Sequence, residues 1–172
     1  KGTNINIEIP FSEDIRQINA TAASRIVIVP AVESSKVNVL LTNSAILEAK
    51  IRTQELGINM KGGCNAVLDI DAPKLVINVS GGSTISPMSA LANDCTINAI
   101  EAGKVVGELT TTNLDCEVSG ASNVNLSGVG RTVKFEVSGT SRLGASNFVT
   151  DHCTLEVNGA SYAHVNCTNS LT

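Results

Sequence analysis

The chain has 172 residues, enough for one domain with a core of its own. Hydrophobic residues make up 42% but aromatics only 2%, so Val, Ile, Leu and Ala must fill that core. The net charge of −4, with no basic run, excludes a phosphate-neutralising nucleic-acid surface. No apolar stretch approaches the roughly 20 residues of a membrane helix, so no transmembrane segment is expected in this chain.

The chain opens at Lys1-Gly2 without Met, which we read as the point after a removed export signal. Ile5, Ile7 and Ile9 alternate as in a strand, which Pro10 stops because it has no ladder donor. Arg25 to Val29 and Lys36 to Leu41 read as a meander of longer strands closed by Pro30. Ser44 to Leu56 is rich in helix formers, yet Leu47, Ala49 and Ile51 alternate, so a strand is expected there too. Residues 1–56 are taken as irregular strands and early coils with an N-terminal cap, since a solenoid end needs cover.

From residue 57 the chain repeats itself. Glu117-Val118-Ser119-Gly120-Ala121-Ser122 returns as Glu136-Val137-Ser138-Gly139-Thr140-Ser141 and as Glu156-Val157-Asn158-Gly159-Ala160-Ser161. The turn position reads Gly62, Gly81, Glu101, Gly120, Gly139, Gly159, at steps of 19, 20, 19, 19 and 20 residues. So short a period with strand-like residues marks a solenoid. Within a unit, Val133, Phe135 and Val137 alternate with Lys134, Glu136 and Ser138, one face in and one face out. A second short strand follows each turn, as at Val124-Asn125-Leu126, Leu143-Gly144-Ala145 and Ala163-His164-Val165. A unit of about 20 residues holds roughly three short strands, and successive units stack about 4.8 Å apart. The leucine-rich-repeat frame of the same length is missing. The prediction is an all-β chain, one domain over 1–172, folded as a single-stranded parallel β-helix with regular coils over 57–172.

The repeated E-V-S-G-A-S, with Gly120-Ala121-Ser122-Asn123-Val124-Asn125-Leu126, resembles the bacterial family called putative auto-transporter adhesin, head GIN domain. Ile15-Arg16-Gln17-Ile18-Asn19-Ala20, followed by Ile26-Val27-Ile28-Val29 and Val37-Asn38-Val39, fits that family's opening. The resemblance covers most of the chain. It implies a right-handed helix, exported to the periplasm or outer-membrane surface of a Gram-negative bacterium. It carries over no catalytic residue and no cofactor.

Candidate chemistry follows from the columns that stacking creates. Glu117, Glu136 and Glu156 share one position and form a carboxylate ladder. As a functional set it would be a cation site, or the acid groups of a pectinase-like polysaccharide enzyme. As a structural feature it is a solvated face eased by Lys134. Asp94, Asp115 and Asp151 fall at three different phases and do not join it. His152, beside Asp151, and His164 lie in different thirds of a coil, so neither a metal nor a triad is expected.

Cys95 and Cys153 share one inward phase and Cys116 another, which predicts buried thiols. Cys64 falls in the turn column and Cys167 near the chain end, and both stay open. Ser119, Ser138 and Asn158 stack, as do Ser122, Ser141 and Ser161. They suit either corner hydrogen bonding or a polar binding face.

The expected function is a non-catalytic exported adhesion or scaffolding module, using its lateral faces on a surface protein or glycan. Self-association into a homo-oligomer is compatible with the fold. The alternatives are the polysaccharide enzyme and a lipid- or envelope-binding module with an apolar end opening near Val27, Val29, Val39 and Leu41.

Overall fold

The computed structural model describes residues 14–172. The strand at Ile5, Ile7 and Ile9 and its stop at Pro10 lie outside the described residues. The elements are β1 Gln17–Ala20, β2 Arg25–Val27, β3 Val32–Thr42, β4 Ile46–Lys61, β5 Asn65–Asp71 and β6 Lys74–Ser80. They continue as β7 Thr84–Leu91, β8 Asp94–Ala99, β9 Lys104–Val118, β10 Asn123–Val137, β11 Arg142–Val157 and β12 Tyr162–Leu171. No helix occurs among the described residues, and so none long and apolar enough to cross a membrane.

Every strand pair is parallel, and every partner sits one winding away. The chain is therefore a parallel β-solenoid of about eight turns. Gly57 pairs with Val76, Val118 with Val137, and Val137 with Val157. The repeat read along the chain is thus the register read across the sheet. Ser44 to Leu56 is strand, as its alternation requires.

The expected meander at Arg25–Leu41 is not formed. β2 and β3 do not pair with each other; both pair parallel to β4. They are consecutive sides of one winding, so each finds its hydrogen-bond partner in the next winding and not across a hairpin.

A winding has three sides. The first follows the glycine corner, the second follows a bend, and the third leads back to the next corner. On the third side the inward columns are Val37, Leu56, Leu75, Cys95, Leu114, Val133, Cys153 and Val39, Ile58, Ile77, Ile97, Cys116, Phe135, all buried. Each such side chain contributes roughly 1.5–3 kcal/mol on leaving water. Identical phases stack like on like, so a narrow aliphatic interior runs the length of the molecule. Phe135 and Phe148 are the only buried aromatics among the described residues. Phe148 has room because Gly130, one winding below, has no side chain: a Cβ there would lie 2.8 Å from the ring.

The uneven period has a local cause. The register slips between Ala66/Leu68 and Ile85/Met88, and again between Asn125/Ser127 and Gly144/Asn147. Each slip inserts one residue at the bend between the first and second sides, at Ser86-Pro87 and at Ala145-Ser146. The two 20-residue steps are those two windings. The other corners keep their spacing.

Candidate functional site: an axial groove

The carboxylate column is real. Glu117 stacks on Glu136 and Glu136 on Glu156, on the outward face of the third side. Toward the N-terminus the same column becomes asparagine. There Asn78 donates to Asn59 and Asn98 donates to Asn78, both at 2.8 Å. Lys134 pairs with Glu136. Its ammonium is held above the usual lysine range by that hydrogen bond first, with Asp115 and Glu156 adding to it. None of the three glutamates lines the axial groove described below. No group of three or more His, Cys, Asp or Glu among the described residues is placed to hold a metal.

The two polar columns differ. Ser119 and Ser138 lie at the rim of the corner, where the Ser119 hydroxyl donates to Glu117 at 3.2 Å. Asn158 continues that column in the last full winding, with its backbone N–H donating to the Val137 carbonyl. Ser122 and Ser141 point inward and are buried, as is Ser83. Their hydroxyls accept backbone N–H groups one winding below. Cys64 donates to Ser83 at 3.2 Å, Gly103 to Ser122 at 3.1 Å, and Ser122 to Ser141 at 3.2 Å. This is corner chemistry. Ser161, at the end of the row, keeps a buried hydroxyl without a partner.

The histidines stay apart. His152 Nδ1 lies 2.8 Å from the Ser170 hydroxyl, in register with Thr132 on the third side. His164 is in register with Gly144 on the first side. All five cysteines are free; Cys64, Cys95, Cys116 and Cys153 are buried and Cys167 is half-buried. Burial pushes the Cys95 thiol up to about 12 and the Cys153 thiol up to about 11.

A long concave surface lies elsewhere, along the bend between the first and second sides. It is a groove of about 860 Å³ that runs parallel to the solenoid axis. Ile28, Ala49, Leu68, Met88, Gly107 and Leu126 form its floor, one residue from each winding. One wall is the outward column before the floor: Val27, Glu48, Val67, Pro87, Val106 and Asn125. The other is the column after it: Lys50, Asp69, Ser89, Glu108, Ser127 and Asn147. Gly107 lets the chain bend tightly here, since a Cβ would lie 2.3 Å from the Met88 carbonyl. The first wall is therefore mainly aliphatic, interrupted by Glu48 and Asn125, and the second is polar throughout. Val27 and Val67 keep 53% and 42% of their surface exposed, so the apolar side of the groove faces solvent.

The residues suggested for an apolar end opening separate here. Val39 and Leu41 belong to the core, whereas Val27 and Val29 line the lateral groove. The groove itself escapes a reading built on the glycine corners. Its one sequence signal is weak: Val27, Val67 and Val106 recur every second winding in a phase that faces water.

A family model described as putative auto-transporter adhesin, head GIN domain, matches the chain over residues 1–100 and again over 91–172. The curated proteins and the solved structures yield no match.

Proposed function

The chain belongs to the putative auto-transporter adhesin, head GIN domain family, and from that membership we propose a non-catalytic adhesion or scaffolding module, exported to the cell envelope. Its contact surface is the groove along the bend between the first and second sides. One observation carries this reading. The groove is continuous across windings, with residues from Val27 to Asn147, and so offers a linear surface instead of a closed pocket. Stacking at about 4.8 Å per winding gives it a length of roughly 29 Å. A long, shallow, mixed surface suits many weak contacts with an extended partner. Turnover of a small substrate calls for convergent acid–base groups in an enclosed site.

The test is retention of chain-coated beads on bacterial cell envelopes. Retention should be displaced by free chain and lost in the Val67→Asn/Val106→Asn double variant. In parallel, pectin should show no new reducing ends with the wild-type chain or with Glu136→Gln. Retention unaffected by the groove variant would refute the contact surface. Pectin cleavage lost in Glu136→Gln would refute the non-catalytic reading.

A further inference from the structure

The charges of the groove are unevenly balanced. Glu48 pairs with Arg25, and Asp69 with Arg52 at 3.0 Å and Lys50 at 3.8 Å. Glu108, on the same wall as Asp69, has no Lys, Arg or His within ion-pair distance among the described residues. It is exposed and lies directly after Gly107 of the groove floor and the apolar Val106. Among the described residues this is a negative charge without a counter-ion beside an exposed aliphatic strip, and such a pairing selects a ligand that is both apolar and cationic.

The walls discriminate among linear ligands. Among the described residues no Phe, Tyr or Trp lines the groove, so they offer a glycan no aromatic face to stack on. An acyl chain would lay half its length against Lys50, Asp69 and Glu108. A polypeptide in extended form fits both walls, because its side chains alternate from one face to the other.

We infer that the groove takes an extended polypeptide segment of about nine residues, with aliphatic side chains along Val27, Val67, Pro87 and Val106 and one Lys or Arg against Glu108. This rests on the groove being the contact surface proposed above. Ser89, Ser127, Asn125 and Asn147 offer hydroxyl and amide groups to the segment's backbone. The strands beneath cannot do so, since their own amides are spent on neighbouring windings.

The experiment uses the full chain and four probes. They are a nonapeptide of alternating Val and Thr with a central Lys, the same peptide with central norleucine, a cellulose-type oligosaccharide, and phosphatidylglycerol vesicles. The lysine peptide should bind. Its affinity should fall about ten-fold in Val67→Asn/Val106→Asn. It should fall comparably in Ser89→Tyr, a surface change that fills the groove without touching the core. Glu108→Gln should weaken the lysine peptide roughly three-fold at low salt and leave the norleucine peptide unchanged.

Failure of both peptides to bind, or equal binding to Ser89→Tyr, overturns the inference. So does equal loss of both peptides in Glu108→Gln. Saturable binding of the oligosaccharide or vesicles that Ser89→Tyr abolishes, without peptide binding, also overturns it while leaving the groove as contact surface. Bead retention that ignores every groove variant removes both readings together.

Discussion

At the repeat corners from Gly62 to Gly120 two consecutive residues reverse the chain in the left-handed region, and at Gly139 and Gly159 the glycine alone does so. The pairs Gly62-Gly63 and Gly81-Gly82 do so without a steric penalty. At Gly81 a side chain is also barred by space, because a Cβ would lie 2.9 Å from the Gly62 amide nitrogen. Glu101 occupies the same corner one winding on, with φ of 50°, followed by Ala102 at 65°. A non-glycine residue held there costs about 1–2 kcal/mol. Restoring glycine recovers that cost, less about 0.5–1 kcal/mol for the freer unfolded chain. Glu101→Gly should therefore stabilise the fold by about 0.5–1 kcal/mol, read as a higher urea midpoint at unchanged slope. A lower midpoint would show that the Glu101 side chain holds the corner by contacts outweighing its backbone strain. This position is legible before any coordinates, because the spacing alone puts Glu101 in a glycine column.

At the scale of the strand column, stacking turns a repeat position into an electrostatic object. On the third side Lys36, Glu55, Lys74 and Asp94 follow one another, alternating in sign. Glu55 accepts from Lys36 at 3.0 Å and faces Lys74 at 3.8 Å. Lys36, by hydrogen bond and charge, and then Lys74 hold its carboxyl below the ordinary value of 4.5. A depressed carboxylate adds stability above its unfolded value, and that stability disappears as pH falls through the folded value. Acidification below about 4.5 should thus erode stability partly through Glu55, and Glu55→Gln should flatten the stability–pH curve there. Because the pair is exposed the effect is small, and a difference in slope is the proper readout. Parallel curves for the two proteins would place the acid sensitivity elsewhere. Columns such as this one, or Glu117–Glu136–Glu156, follow from the period once stacking is assumed. The groove does not. It depends on how sharply the first side meets the second, which is set by packing of Gly107 against Met88 and by single insertions at Pro87 and Ser146. An alternation pattern cannot distinguish a concave bend from a convex one, so Val106 reads merely as an outward residue.

Over the whole molecule, each winding packs chiefly against its neighbours, so stability is close to a sum of single-winding and interface terms. Opening should then spread from an end and not occur everywhere at once. The cysteines report on this, being spaced along the axis from Cys64 to Cys167. Only the thiolate reacts with an alkylating reagent, and burial has raised Cys95 to about 12 and Cys153 to about 11. At pH 8 these thiols stay protonated and covered until their winding opens. Cys167 is half-buried in β12, the last strand, and should be modified first. Cys153, in register with Leu171 of β12, should follow when that strand frays. Cys64, Cys95 and Cys116 lie inside windings closed on both sides, so each should be labelled only after the windings between it and an end have opened, and all three later than Cys153. Mass spectrometry of partly alkylated chain resolves the order. Labelling of Cys95 as fast as Cys167 in native buffer would mean that the middle windings open independently. A stack bound together only through adjacent interfaces does not allow its interior to open while both neighbours remain in place.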